Sequence, residues 1–524
     1  MKDNAICMFL MKKYRINKIQ FKVSHILFCI LYPTLSYISY NAVNFDKTAK
    51  WFYLKNEFDY IGISAFYIAG LCLFIAVFTL FAHRWTIKPL AIILTILSGA
   101  SAYFIAKYNV AIDHNMVMNA IYTDTTEVRG LLSIQMIPYF LFLIVLPIIA
   151  IFFVQITFAG SIRYLLGSIS LCSLAIVMAL VLLYAQFNPI HRAANMSKKY
   201  ILHQLIPLNH IQSIVSIIQD YVNSFLPEQD IKEIEVSAHT SSQTNLVVVL
   251  AVGESARQKN FSLYGYTRQN TNPILSKDKN LHLLNGVAKY GSTLYALPEI
   301  LSKQDVPLAT ITAKAGINTA CYSHFSLYDN CGTVGETRVS NCGHGGRCYD
   351  EDVIPLLNEN LKSYTSGYRF IVLHLGGGSH GPNYQKRYPP EFQRFHPMCL
   401  DADVVNQCTV EELYNSYDNT ILYTDYVLGK IINELDNSGV PYVFIYLSDH
   451  GESLLENDRV FHGMPPGIPL PPEQRHVPLI VKSSIPLSIL KRQEYKQPDV
   501  YDSILDLLSI ESNITDKEGS FLKK

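Results

Sequence analysis

Five apolar stretches, at about 24–43, 61–83, 89–107, 131–159 and 163–187, constrain this chain more than any other feature. Each reaches the ~20 residues an α-helix needs to cross the hydrocarbon core of a bilayer. Backbone polar groups in that core must be satisfied within the chain, so residues 24–190 read as a five-helix transmembrane domain. A signal peptide competes for the first stretch, but Pro33, several tyrosines and the lack of a small-residue cleavage site favour an uncleaved span. Residues 1–23 carry Lys2, Lys12, Lys13, Arg15, Lys18 and Lys22 against a single acid, Asp3. Arg84, Lys88 and Arg163 fall in loops on the same side if the spans alternate. The positive-inside rule makes that side, and the N-terminus, cytoplasmic. Five crossings then put everything after residue 190 outside.

Composition supports the split. Charged residues make up 16% of the chain, below the roughly 25% of soluble domains. The deficit lies in the first 190 residues. A formal net charge of +0 gives no basic footprint for nucleic acid. Of the ten cysteines, Cys7, Cys29, Cys72 and Cys172 stand singly in or near apolar segments. The other six form close pairs: Cys321 with Cys331, Cys342 with Cys348, Cys399 with Cys408. Zinc ligation competes with disulfides for these, but the spacing lacks the repeated C-x₂-C signature. Three short-loop disulfides in an oxidising compartment are the expectation, and they agree with the topology.

Residues 191–240 mix apolar periodicity with Pro207 and Pro227, and read as amphipathic helices that bridge along the membrane interface. From 241 to 524, β-type runs (246–252, 369–374, 441–447, 477–481) alternate with helical stretches (about 351–363, 409–437, 500–509). That alternation predicts an α/β sheet with helices on both faces.

Two of these runs end alike. Val443 to Leu447 breaks into Ser448-Asp449-His450-Gly451-Glu452-Ser453, and Leu246 to Val252 into Gly253-Glu254-Ser255. Ligands bind at the carboxyl ends of strands in such sheets, and acid and imidazole side chains there suit one metal ion between neighbouring strands. Between them, Gly291-Ser292-Thr293 resembles a loop entering a helix, whose first amides favour phosphate. Thr293 is either a nucleophile for phosphoryl transfer or a helix cap. His380, in Ser379-His380-Gly381-Pro382, and His462, in Phe461-His462-Gly463, lie beside glycines with little apolar cover. They suit ligand or acid/base roles. Asn119, Thr123 and Glu127, after the third span, share one face if helical. They read as a solvated helix end or a polar face for a lipid headgroup.

These residues carry a resemblance. Gly253-Glu254-Ser255-Ala256-Arg257, the run from Asn260 to Pro273, Thr293-Leu294-Tyr295-Ala296-Leu297-Pro298, Ser379-His380-Gly381-Pro382, Tyr417-Asp418-Asn419-Thr420 and Ser448 to Ser453 resemble the phosphoethanolamine transferases of the alkaline phosphatase/sulfatase superfamily, membrane enzymes that decorate lipid A. The likeness runs from the five spans to about residue 510. It implies a membrane-anchored, sulfatase-type domain with a central, mostly parallel sheet. It also implies zinc held by Glu254, Thr293, Asp449 and His450, with Thr293 as nucleophile. His380 and His462 become substrate-side histidines that can hold a second zinc or assist proton transfer, and Asn119, Thr123 and Glu127 contact the headgroup. The implied reaction takes phosphoethanolamine from phosphatidylethanolamine through a phosphothreonine-type intermediate, releases diacylglycerol, and passes the group to lipid A or a lipopolysaccharide core. It implies a monomer in a bacterial inner membrane, a periplasmic catalytic domain, and tolerance to cationic peptides such as polymyxins.

Two departures from the family pattern stand out. Members often bracket the nucleophile with a disulfide, where this chain has Tyr290 and Glu299, and the segment from His374 to His380 is one residue longer than usual. The rival readings are a membrane phosphoglycerol transferase or lipid-phosphate hydrolase, with manganese as the alternative metal, and a catalytically silent membrane protein.

Overall fold

The computed structural model describes residues 21–54, 57–110, 112–113, 116–118, 134–197, 200–225, 238–240, 244–323, 327, 329–339, 342, 348–376 and 378–524. The chain forms two compact units. One comprises Met1–Lys107, Ala111–His114 and Ile134–Gln219; the other comprises Tyr108–Val110, Asn115–Ser133 and Asp220–Lys524.

The first unit is helical: α1 (His25–Ala42), α2 (Tyr60–Phe81), α3 (Ile87–Tyr108), α4 (Met136–Phe153) and α5 (Ser161–Ala185). The last four are each long and apolar enough to cross a membrane; α1 passes together with Phe45–Phe52, from which it is bent by 75°. Helices in lipid associate by close packing rather than by hydrophobic drive. Gly99 of α3 shows this, since a Cβ there would stand 2.4 Å from Ile144 Cγ1. The fourth apolar stretch is shorter than its composition suggests. Val154-Gln155-Ile156-Thr157 leaves the helix and pairs in parallel with Phe21–Ser24, in keeping with its alternating, β-branched pattern. Two further helices follow, α6 (Phe187–Met196) and α7 (Leu208–Phe225).

The second unit is built on an eight-stranded sheet. Its strands are β1 (Leu246–Gly253), β2 (His282–Val287), β3 (Asn318–Ser323), β4 (Thr337–Arg338), β5 (Tyr368–Leu375), β6 (Tyr442–Ser448), β7 (His476–Ser483) and β8 (Tyr495–Lys496). Their order is β4-β3-β5-β1-β6-β7-β2-β8. Only β7 opposes its neighbours; the other pairings are parallel. β1, β5 and β6 are buried at every position, which is why their sequences are apolar without alternation. Leu246, Val248, Leu250 and Val252 share a core with Val443, Ile445 and Leu447, and with α8 (Thr293–Leu301) through Leu297 and Ile300. Each such side chain stabilises the unit by about 1.5–3 kcal/mol. After α9 (Ile354–Lys362), the 28-residue α10 (Val410–Asn437) starts on a capping box. Thr409 Oγ1 accepts from the Glu412 amide at 3.2 Å, and the Glu412 carboxylate accepts from the Thr409 amide at 2.7 Å. α11 (Gln497–Leu507) completes the same core through Tyr501, Ile504 and Leu505. The pairs Cys321–Cys331, Cys342–Cys348 and Cys399–Cys408 are disulfides, while Cys29, Cys72 and Cys172 are free thiols.

Candidate active site

β1 and β6 are parallel neighbours with Gly253 opposite Ser448, so the residues after them emerge side by side. The Asp449 amide donates to Gly253 O at 3.0 Å, and the Ser255 amide donates to Asp449 Oδ1 at 3.0 Å. Ser255 holds a left-handed φ of 55°, a strained conformation for a serine, and this turns the Glu254 and Ser255 side chains together. Ser255 Oγ donates to Glu254 Oε1 at 2.6 Å. Beyond β6 the chain passes close to Glu473, whose carbonyl oxygen would lie 2.1 Å from a Cβ on Gly451.

His450 Nδ1 lies 3.0 Å from Gly451 O. A carbonyl can only accept, so Nδ1 carries the hydrogen and Nε2 presents a lone pair. That lone pair stands 3.2 Å from Asp449 Oδ2 and 3.6 Å from Glu254 Oε1. Asp449 Oδ2 is buried and accepts no hydrogen bond. Acceptor atoms from Glu254, Asp449 and His450 thus converge within 4.8 Å of one another. Such a buried set lacks only a positive charge at its centre, so these residues fit a divalent cation. Thr293, the first residue of α8, joins them: its hydroxyl donates to Glu254 Oε2 at 2.9 Å and lies 3.5 Å from His450 Nε2. Ser292 precedes it as the helix cap in extended conformation, so Thr293 itself is not the cap.

His380 and His462, the expected substrate-side histidines, are adjacent. The His380 and His462 rings have centroids 4.6 Å apart, and His450 and His462 4.4 Å. Asn119, Thr123 and Glu127 lie outside the described residues. His374 is buried within β5. Where the family's disulfide cysteines would stand, at Tyr290 and Glu299, Lys289 Nζ contacts both Glu299 carboxylate oxygens at 3.0 and 3.1 Å and lies 4.9 Å from the Tyr290 ring.

Residues to which sequence reasoning gave no role hold these loops. Arg257 is fully buried, donates to Glu456 Oε1 at 2.7 Å and Asn260 Oδ1 at 2.5 Å, and lies over the Tyr414 and Tyr417 rings at 5.1 and 5.3 Å. Burial works against its charge, but Glu456 and the two tyrosines outweigh it and raise its pKa. Burial likewise pushes Glu456 up, and Arg257 pulls it down further, below the usual carboxylate range. From α10, the Tyr417 hydroxyl donates to Ser255 O at 2.8 Å and the Thr420 hydroxyl to Ser379 Oγ at 2.7 Å. Asp418 accepts from Asn260 at 2.6 Å and from Tyr266 and Arg268 at 2.8 Å. The motifs around Asn260 and Tyr417 are therefore halves of one clamp.

The sulfatase family profile matches residues 246–510, and the profile described as phosphoethanolamine transferase EptA/EptB matches 70–222. The chain is 31% identical to phosphoethanolamine transferase EptA of Escherichia coli K12 over 83% of this chain and 85% of that protein. The chain belongs to the phosphoethanolamine transferase family. It is 32% identical to EptA of Helicobacter pylori over 80% of this chain and 81% of that protein. The solved lipooligosaccharide phosphoethanolamine transferase A of Neisseria meningitidis matches with a TM-score of 0.84 at 25% identity, covering 94% of this chain and 97% of that one. As in other members of the phosphoethanolamine transferase family, a helical unit of apolar spans precedes a sulfatase-type unit with a mostly parallel sheet.

Proposed function

We propose that the protein takes phosphoethanolamine from phosphatidylethanolamine onto Thr293 and passes it to lipid A or a lipopolysaccharide core sugar. The observation that carries this reading is the Thr293 hydroxyl at the edge of the converged acceptors, 2.9 Å from Glu254 and 3.5 Å from His450. Glu254, Asp449, His450 and Thr293 would hold zinc, since one imidazole among oxygen donors favours zinc over the harder manganese. Zinc, when bound, supplies positive charge that lowers the pKa of the threonine hydroxyl and neutralises charge on the phosphoryl oxygens.

Thr293 Oγ1 attacks phosphorus and the bond to the glycerol oxygen breaks. The Thr293 proton would pass by way of His380 or His462 to the departing glycerol oxygen, so that diacylglycerol leaves as the free alcohol. An acceptor O–H then attacks the phosphothreonine, the bond from phosphorus to Thr293 Oγ1 breaks, and the acceptor's proton returns to Thr293 and restores its hydroxyl. Thr293 starts α8, whose amides favour the phosphoryl charge. The headgroup would meet Asn119, Thr123 and Glu127. Three disulfides in the catalytic unit support a periplasmic position for residues 241–524. They fit an inner-membrane enzyme with a cytoplasmic residue 1–23 segment, spans in 24–190 and bridging helices in 191–240.

Purified protein in detergent with fluorescent phosphatidylethanolamine tests the donor, the nucleophile and the metal. Fluorescent diacylglycerol is expected from the native chain and not from Thr293→Ala or a chelated sample. Release that persists in Thr293→Ala would reject the nucleophile.

A further inference from the structure

Glu452 is fully buried two residues beyond His450. Its Oε1 accepts from the Gly381 amide at 3.0 Å and from the Tyr384 hydroxyl at 3.0 Å. Its Oε2 meets His462 Nδ1 at 2.7 Å. One carboxylate therefore joins the turn that carries His380 to the loop that carries His462. The two loops also pack closely, since Phe461 sits at a left-handed φ of 64° and a Cβ on Gly381 would meet its ring at 2.4 Å. As a carboxylate, Glu452 can only accept, at Oε2 from His462 as at Oε1 from Gly381 and Tyr384. Nδ1 then carries the hydrogen, and Nε2 carries the lone pair.

We infer that Glu452 is a positioning residue, whose hydrogen bond to Nδ1 fixes the tautomer and orientation of His462 while its other oxygen holds the His380 turn beside it. The inference rests on reading this site as a phosphoethanolamine transferase centre. It gives His462 one protonation form in which to present Nε2 to the substrate side. Partners that orient an imidazole in this way typically contribute 10–100-fold to activity or affinity.

Glu452→Gln is the informative change because it keeps the shape. With the amide oxygen still held by Gly381 and Tyr384, the amide nitrogen becomes a donor toward His462 Nδ1, which must then accept. The opposite tautomer results. In the full-length protein with fluorescent phosphatidylethanolamine, kcat is expected to fall about 10–100-fold, with KM changed by no more than about twofold. Combining Glu452→Gln with His462→Ala should lower kcat by less than about threefold beyond His462→Ala alone, since both remove the same function. The zinc content and melting temperature of Glu452→Gln, measured alongside, should match the native protein. Diethyl pyrocarbonate labelling of His462, read by peptide mass spectrometry, should change severalfold in rate in Glu452→Gln. Unchanged labelling would overturn the positioning role whatever turnover does, and so would multiplicative losses in the double variant. Changed labelling in Glu452→Gln, together with a native protein that releases no diacylglycerol, would instead reject the transferase reading and keep the positioning role.

Discussion

The Ser255 hydroxyl donates to Glu254 Oε1 at 2.6 Å while the Ser255 amide donates to Asp449 Oδ1 at 3.0 Å. One residue at the tip of β1 thus restrains two candidate metal ligands from neighbouring strands. Ser255→Ala keeps the amide contact and loses the hydroxyl. Zinc affinity should fall about 10–100-fold, as for other residues that orient ligands, with little change in melting temperature. Competition with a chromophoric chelator measures it, and an unchanged affinity would remove Ser255 from the account.

Arg257 should matter to stability more than to chemistry. Its removal leaves Glu456, whose side chain is 16% exposed, with only the more exposed Lys259 ammonium at 3.7 Å as a cation, and opens space beside Tyr414 and Tyr417. Breaking a buried pair from one side costs about 3–5 kcal/mol. Arg257→Ala should therefore melt well below the native protein, and Arg257→Lys should rescue only part of the loss, because an ammonium lacks the planar fork.

The Lys289–Glu299 pair should matter little to stability. The Lys289 side chain is 59% exposed, and pairs open to water are worth about 0–1 kcal/mol. Glu299→Gln should shift melting by no more than that, and the shift should shrink further at high salt. A large loss would mean that this clasp does structurally what a disulfide does in other family members.

Asp425 offers a pH test away from the metal ligands. Burial raises its pKa to about 6, although the Ile274 and Leu275 amides, donating at 2.8 and 3.0 Å, favour its charged form. The folded protein therefore binds a proton more tightly than the unfolded chain, whose aspartate pKa is about 3.9. Stability from this group is largest below pH 4 and is lost as pH rises through 6. The loss amounts to about 3 kcal/mol. Native protein minus Asp425→Asn, compared by melting temperature from pH 4 to 7, should show that slope.

Much of this architecture is legible in the sequence because its constraints are strong. A lipid-spanning helix must be apolar for its whole length, and β1, β5 and β6, buried on both faces, must be apolar without alternation. The cysteine pairs were legible from short spacing. Strand direction was not, since Val477 to Val481 reads like its parallel neighbours yet runs against them. The end of the fourth span was also hidden, because the four-residue alternation Val154-Gln155-Ile156-Thr157 is too short to stand out beside the long apolar run before it, and its partner strand Phe21–Ser24 is distant in sequence. At the site, Glu254, Thr293, Asp449 and His450 stood out because acids, hydroxyls and imidazoles follow apolar strands or glycine. Glu452 and Arg257 did not, since their roles depend on partners distant in sequence: Tyr384 and His462 for one, Tyr414 and Glu456 for the other.

The central claim is that Thr293 carries phosphoethanolamine. The direct measurement is the intact mass and peptide map of native protein incubated with phosphatidylethanolamine in the absence of acceptor, with Thr293→Ala beside it. The account predicts the mass of one phosphoethanolamine group on Thr293, lost when lipid A is added and absent from the variant. Diacylglycerol release with Thr293 unmodified, or the group on another residue, would contradict it.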